Sequence, residues 1–121
     1  MTESKVDVPG EPVAKQRPRV GAHGSVYTPR ETKAFERTVA LIAKVKLPRY
    51  KAEDRLVVDL TFYCSSQAKD LDNMCKSVLD GLQKAGIFKN DSQVMELHAR
   101  KIRTAPGEES RTEIQVGTLN R

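Results

Sequence analysis

Apolar and polar positions alternate along this chain with two different periods, and the change of period marks out its elements. From Leu71 onward the apolar residues stand at Leu71, Met74, Cys75, Val78, Leu79, Leu82 and Ala85, the three-and-four spacing of one buried helical face, with Asp72, Asn73, Lys76, Asp80 and Gln83 opposite. This spacing predicts a helix over 72–85. The acid at its front and Lys84 near its back suit the helix dipole, and Gly86 is placed to end it. A second helix is predicted over 29–46, opened by Thr28 as cap, Pro29 at the first helical position and Glu31 completing a capping box. Its buried stripe is read as Phe35, Val39, Ile42 and Val45, with Leu41 beside it, and Pro48 prevents continuation. Period two appears in Leu56 to Tyr63, where Leu56, Val58, Leu60 and Phe62 make an apolar face and Val57, Asp59, Thr61 and Tyr63 a mixed one. Val94 to Arg103 alternates less regularly. After the turn chemistry of Ala105 to Ser110, Thr112, Ile114 and Val116 form a last strand, read as a hairpin that extends the sheet.

Upstream, Lys15 to Arg30 reads as a strand or arm leading into a loop and a short returning strand, Ser25 to Thr28. The order is therefore β-β-α-β-α-β-β with short termini. That is an α+β fold with a small mixed sheet and two helices, a single domain over 1–121.

Composition narrows the function classes. The formal net charge is +5, which favours a polyanionic partner. Lys15, Arg17, Arg19 and Arg30 lie in a stretch with no acid at all and form a candidate phosphate-binding segment, the alternative being a merely solvated surface. Lys69 joins this basic set, and Arg100, Lys101 and Arg103 are further candidates. No apolar run is long enough to cross a bilayer, and the first residues lack the apolar core of a signal peptide, so a cytoplasmic location is expected. Cys64 and Cys75 fall on apolar positions and are expected as buried reduced thiols.

The candidate chemistry is acidic. Asp70 and Asp72 stand one residue apart where the polar loop Ser65 to Lys69 meets the second helix. Asn73 and Lys76 follow, and Asp91 comes in a turn after the helix. Each has a bland explanation: Asp72 as a helix cap, Asp72 with Lys76 as an exposed pair, Asp91 as a turn residue, and Asp80 as a solvated face residue. None of these gives Asp70 a task. Two neighbouring anions repel, and a divalent cation such as Mg²⁺, which takes oxygen ligands, turns that repulsion into binding. His98, a lone histidine in a strand, is read as structural and not catalytic, and His23 in the glycine loop is undiagnostic.

The run Asp70-Leu71-Asp72-Asn73-Met74-Cys75-Lys76, followed by Asp80-Gly81-Leu82, Gly86 and Asp91-Ser92-Gln93-Val94, resembles the signature of the RusA family of Holliday junction resolvases. Pro12 to Pro18, Gly24, Tyr27-Thr28-Pro29 and Thr32 are similar to the start of its phage-type members, so the resemblance covers most of the chain. It implies a homodimeric, Mg²⁺-dependent endonuclease, with Mn²⁺ as a substitute ion, that resolves four-way DNA junctions by paired nicks in recombination and repair. The matching positions are Asp70, Asp72 and Asp91 as metal-site acids and Lys76 as the catalytic lysine. Two other classes remain open on the residues themselves: a non-catalytic basic DNA-binding module, and a metal nuclease of other branched DNA.

Overall fold

A computed structural model describes residues 3–16, 19–22, 24, 26–27 and 29–119, without the side chains of Glu3, Arg19 and Tyr27. Its main sheet has four strands: β1 (Glu3–Pro9), β4 (Leu56–Cys64), β5 (Val94–Arg103) and β6 (Arg111–Thr118), in the order β1-β6-β4-β5. A separate two-stranded ribbon pairs β2 (Arg19–Val20) with β3 (Val26–Tyr27). Two helices, α1 (Arg30–Lys46) and α2 (Leu71–Lys84), complete the fold. The α+β class with a mixed sheet and two helices is as the sequence predicts.

Strand β4 sets the core. Leu56, Val58, Leu60, Phe62 and Cys64 have no exposed surface, and they form one cluster with Val39 and Ala43 of α1, Met74, Val78 and Leu82 of α2, and Ile114 and Val116 of β6. Each such burial contributes about 1.5 to 3 kcal/mol. The opposite face of the sheet carries polar side chains. There Arg100 donates to both carboxylate oxygens of Asp59, at 2.8 and 3.2 Å, and to Thr61 Oγ1 at 2.6 Å.

Three sequence expectations change. The first residues are not a short terminus: Glu3–Pro9 pairs antiparallel with β6, and Val6 and Val8 are buried. The last two strands are not a hairpin. Strand β6 lies between β1 and β4, antiparallel to both, while β5 pairs parallel with β4. Burial explains the exchange, because β6 carries fully buried Thr112, Ile114 and Val116, whereas β5 carries no buried residue and takes the edge. Helix α1 begins at Arg30 with Pro29 as the flanking residue and no side-chain cap, and Thr28 lies outside the described residues. Its buried stripe is Thr32, Phe35, Glu36, Val39 and Ala43, while Val45 is 83% exposed.

The β4–α2–β5 crossover positions the site. Chain leaving Cys64 enters α2 at Leu71, runs back along the sheet, and re-enters at Val94 opposite Leu56. Helix α2 ends where Gly86 adopts φ 76°, and the Ile87 N–H bonds the Leu82 carbonyl at 3.1 Å. No helix among the described residues is long and apolar enough to cross a membrane.

Candidate active site

Asp70 precedes the first residue of α2 in extended backbone, with φ −73° and ψ 128°. Its side chain caps no backbone N–H. Its carboxylate instead accepts from Asn73 Nδ2 at 3.3 Å, and its carbonyl receives the Met74 N–H at 3.1 Å. Asp72 lies in the first turn, where Oδ1 accepts from the Asn73 N–H at 2.9 Å. Lys76 follows one turn later, exposed, and among the described residues no ion pair joins it to Asp72 or any other acid.

Asp91 opens a single 3-10 turn, Asp91–Gln93, that local chemistry fixes tightly. Asn90 Oδ1 accepts from the Ser92 N–H at 2.9 Å, and buried Gln93 Oε1 accepts from the N–H groups of Lys89 and Asn90 at 3.0 and 3.2 Å. Gln93 Nε2 then donates to the carbonyls of Lys51 and Asp54, at 2.8 and 3.1 Å. The turn carrying Asp91 is thereby fastened to the segment that precedes β4.

Asp72, Asn73, Lys76 and Asp91 line one open groove of about 670 Å³ between α2 and β5, whose apolar walls are Leu71, Cys75, Leu79, Leu97 and Ala99. Asp70 stands at the helix head, outside that lining. The parallel crossover sets Asp70 and Asp72 toward the Cys64 and Arg103 ends of the two strands, and Asp91 toward the Leu56 and Val94 ends. Among the described residues no three carboxylate, imidazole or thiol groups surround one point. The donor chemistry itself, hard carboxylate oxygens beside an amide, fits Mg²⁺, which is held by one or two carboxylates together with waters and a phosphate. Cys75 adds nothing to this set: burial first, and the neighbouring Asp72 charge second, push its thiol pKa up and keep it protonated.

The loop that delivers Asp70 is latched from several sides. Glu11 Oε1 accepts from Ser65 Oγ at 2.8 Å, the Ser65 N–H at 3.2 Å and Ser110 Oγ at 2.6 Å, while Lys69 Nζ donates to Glu11 Oε2 at 3.2 Å and to the Pro12 carbonyl at 2.6 Å. Burial raises the Glu11 pKa, yet these hydrogen bonds, Ser110 foremost, outweigh it and hold the group down at about 2. From β5, Lys101 Nζ donates to the carbonyls of Gln67 and Lys69 at 2.8 and 2.9 Å.

The basic residues divide accordingly. Lys69 and Lys101 are taken up by this latch, and Arg100 is held by Asp59 on the other face of the sheet. Lys15 pairs with Glu36 at 2.6 Å and Asp80 at 2.9 Å, so Asp80 is a paired residue and not a merely solvated one. Arg30 is exposed in the first turn of α1, while Arg17, His23 and the side chain of Arg19 lie outside the described residues. Glu36 was not singled out from sequence. It is 1% exposed and also receives Lys84 at 2.6 Å. Burial pushes its pKa up, but hydrogen bonds from Lys15 and Lys84 prevail and leave it below the usual carboxylate range. Its only sequence signal is a charge placed in the buried stripe of α1, four residues after Thr32.

Comparison with known proteins points to one family for this chain. The family described as Endodeoxyribonuclease RusA matches residues 9–117. The chain is 30% identical over 79 residues to the crossover junction endodeoxyribonuclease RusA of Aquifex aeolicus (strain VF5), an alignment covering 64% of this chain and 63% of that protein. It is 31% identical to the uncharacterized protein YqaN of Bacillus subtilis (strain 168), over 93% of this chain and 94% of that one. With the match spanning both the acid-bearing α2 and the turn at Asp91, the chain belongs to the RusA family of endodeoxyribonucleases.

Proposed function

We propose that this protein resolves four-way (Holliday) DNA junctions by Mg²⁺-dependent hydrolysis of phosphodiesters, in paired nicks, during recombination and repair in the cytoplasm. The observation that carries this reading is the groove itself, which Asp72 and Lys76 of α2 line together with Asp91 of the turn before β5, with Asp70 at the helix head outside the lining. The name of the Aquifex relative, a crossover junction endodeoxyribonuclease, supports the substrate class.

Asp70 and Asp72 would hold the cation at the head of α2, with Asp91 as a third acid. When bound, Mg²⁺ or Mn²⁺ supplies Lewis-acid relief of the charge that builds on the phosphate and lowers the pKa of attacking water. Asn73, whose Nδ2 donates to the Asp70 carboxylate and whose backbone N–H donates to Asp72 Oδ1, orients both acids. Lys76, free of an internal acid among the described residues, places an ammonium against the transferring phosphoryl oxygens or the leaving 3′ oxygen, leaving a 5′-phosphate and a 3′-hydroxyl. Two equivalent phosphates in a four-way junction call for two sites, hence a homodimer.

Labelled four-way junction, flap and linear duplex, incubated with and without Mg²⁺, test the reading. We expect paired nicks in the junction alone, abolished by EDTA, and a loss of about 10² or more in rate for Asp70→Asn, Asp72→Asn and Lys76→Ala. Binding of the junction without any nicking, or near-normal rates in an aspartate variant at low Mg²⁺, would sink it.

A further inference from the structure

Helix α1 buries one face against the core, along Thr32, Phe35, Glu36, Val39 and Ala43. Nearly opposite, Ala34, Thr38, Leu41 and Val45 are all exposed, Leu41 at 63% and Val45 at 83%. Their spacing of four, three and four is the seam along which one helix packs on another. The Thr38 hydroxyl donates to the Ala34 carbonyl at 3.0 Å, so its polar group is satisfied inside the helix and its methyl is what remains for a neighbour. A single exposed leucine is ordinary, whereas three successive turns without a charge along one line of a surface helix are not.

Charge decides what fits there. Lys33, Arg37 and Lys44, spaced by four and seven, run along one edge of the stripe, exposed, and among the described residues no ion pair engages them. The acids of α1 do not offset them, because Glu36 is buried between Lys15 and Lys84 and Glu31 lies in the first turn. Nucleic acid alone would satisfy the cations and leave Leu41 and Val45 in water. A second copy brings the same basic edge and is opposed by like charge. A bilayer surface calls for a broad apolar face, and α1 has only two large aliphatic side chains to insert while its other side stays in the core. An amphipathic helix with apolar residues at three-and-four spacing and acids beside them meets both features. Its place in the fold also suits a partner. Helix α1 packs on β1 and α2 on β5, the two edges of the sheet, so α2 stands between the stripe and the acid groove and both surfaces can be occupied together.

We propose that the outer face of α1 is a docking surface for an acidic amphipathic helix of another protein, with Leu41 and Val45 as its apolar anchors and Lys33, Arg37 and Lys44 as its charged edge. This goes beyond the nuclease reading and does not rest on it, since the docking is read without DNA.

The probe is a fluorescein-labelled synthetic helix of about 20 residues, with leucines at three-and-four spacing and glutamates beside them, and a control peptide carries lysines in place of the glutamates. Both are titrated with the whole chain and followed by fluorescence anisotropy. We expect saturable binding of the glutamate peptide and none of the lysine peptide. Affinity should fall at least about tenfold in a protein carrying Leu41→Ser with Val45→Ser, and again in one carrying Arg37→Glu with Lys44→Glu. Met95→Ser, which alters an exposed apolar residue outside α1, should bind like the parent. All four altered α1 positions are exposed, and circular dichroism checks that each variant is folded. Equal binding of the two peptides, or an unchanged affinity in the serine variant, overturns the proposal. Two further outcomes also overturn it. Loss of junction affinity in the serine variant gives the face to DNA, and binding to phosphatidylglycerol vesicles in place of the peptide gives it to a membrane. A protein that binds the glutamate peptide yet leaves junctions uncut overturns the nuclease reading and keeps the docking face.

Discussion

Side chains of the same type do different work here, and their partners decide which. Lys15 and Arg30 both belong to the basic segment, yet the Lys15 ammonium is spent on Glu36 and Asp80, and its backbone N–H bonds the Asn73 carbonyl at 2.7 Å. A lysine engaged in this way anchors the arm to α2. Lys15→Ala should therefore cost about 1 to 3 kcal/mol in urea unfolding, because it leaves buried Glu36 with one partner fewer. It should leave the slope of junction affinity against salt unchanged, whereas Arg30→Ala should reduce that slope by about one phosphate contact. A salt titration of both variants checks the distinction. Gln93 is the clearest case of a residue whose value lies in satisfying others. Gln93→Ala strands two carbonyls and two N–H groups, for an expected loss of about 2 to 3 kcal/mol, while the exposed Ser92→Ala should stay within about 0.5 kcal/mol. Since the same bonds fix the turn carrying Asp91, junction cleavage by Gln93→Ala should slow while junction affinity holds.

The elements were legible to the extent that one-sided burial writes itself as period. Helix α2 and strand β4 declare themselves because Met74, Val78 and Leu82, and the alternate residues Leu56, Val58, Leu60, Phe62 and Cys64, each form an unbroken apolar line. Pairing between strands leaves no such mark. Nothing in the alternation of Thr112, Ile114 and Val116 states that β6 inserts between β1 and β4, and the stretch before Pro9 offers only Val6 and Val8 as apolar contacts. In α1 the apolar pattern points toward Val45, whereas the buried line includes Thr32 and Glu36, polar residues that a hydrophobic pattern passes over. The acids at Asp70, Asp72 and Asp91 were legible as residue types and spacing. Where they stand relative to one another depends on the parallel crossover, which local pattern does not encode. Gly81 was legible only as part of a motif, and the structure gives it a packing reason. A Cβ there would meet Val39 Cγ1 at 2.8 Å, Val39 Cβ at 2.9 Å and the Glu36 carbonyl at 3.0 Å. Alanine is better than glycine in a helix by about 1 kcal/mol, but forcing α1 and α2 apart costs about 1 to 3 kcal/mol. Gly81→Ala should therefore be neutral to destabilising, against the helix-propensity trend, and thermal unfolding gives the sign.

At the scale of the whole molecule, one carboxylate ties together segments that are distant in sequence. Glu11 binds Ser65 and Lys69 on the loop that delivers Asp70, and Ser110 on the turn before β6, while the neighbouring Gly10 N–H bonds the Ser110 carbonyl at 3.1 Å. These bonds require the anion, since a protonated carboxyl loses half its accepting capacity and its attraction for Lys69. The hydrogen bonds hold the Glu11 carboxyl down at about 2 in the fold, against its ordinary 4.5 in the unfolded chain. A depressed folded-state pKa means that the stabilisation is fully present above the unfolded value and is lost as pH falls through the folded one. The window is therefore pH 4.5 down to about 2. Discounted for the third of the side chain that meets solvent, the contribution is about 1 to 2 kcal/mol. Glu11→Gln should be less stable than the parent by that amount at pH 7, and the gap should close as both are acidified. Other depressed carboxylates, Glu36 and Asp59 among them, fall out of the difference because both proteins carry them. Urea midpoints at pH 7, 5 and 3 give the measurement. A gap that stays constant to pH 3 would assign the loss to packing and not to charge. If the latch is electrostatic, junction cleavage by Glu11→Gln at neutral pH should also fall, because the loop that presents Asp70 is then held from β5 by Lys101 with no anion behind it.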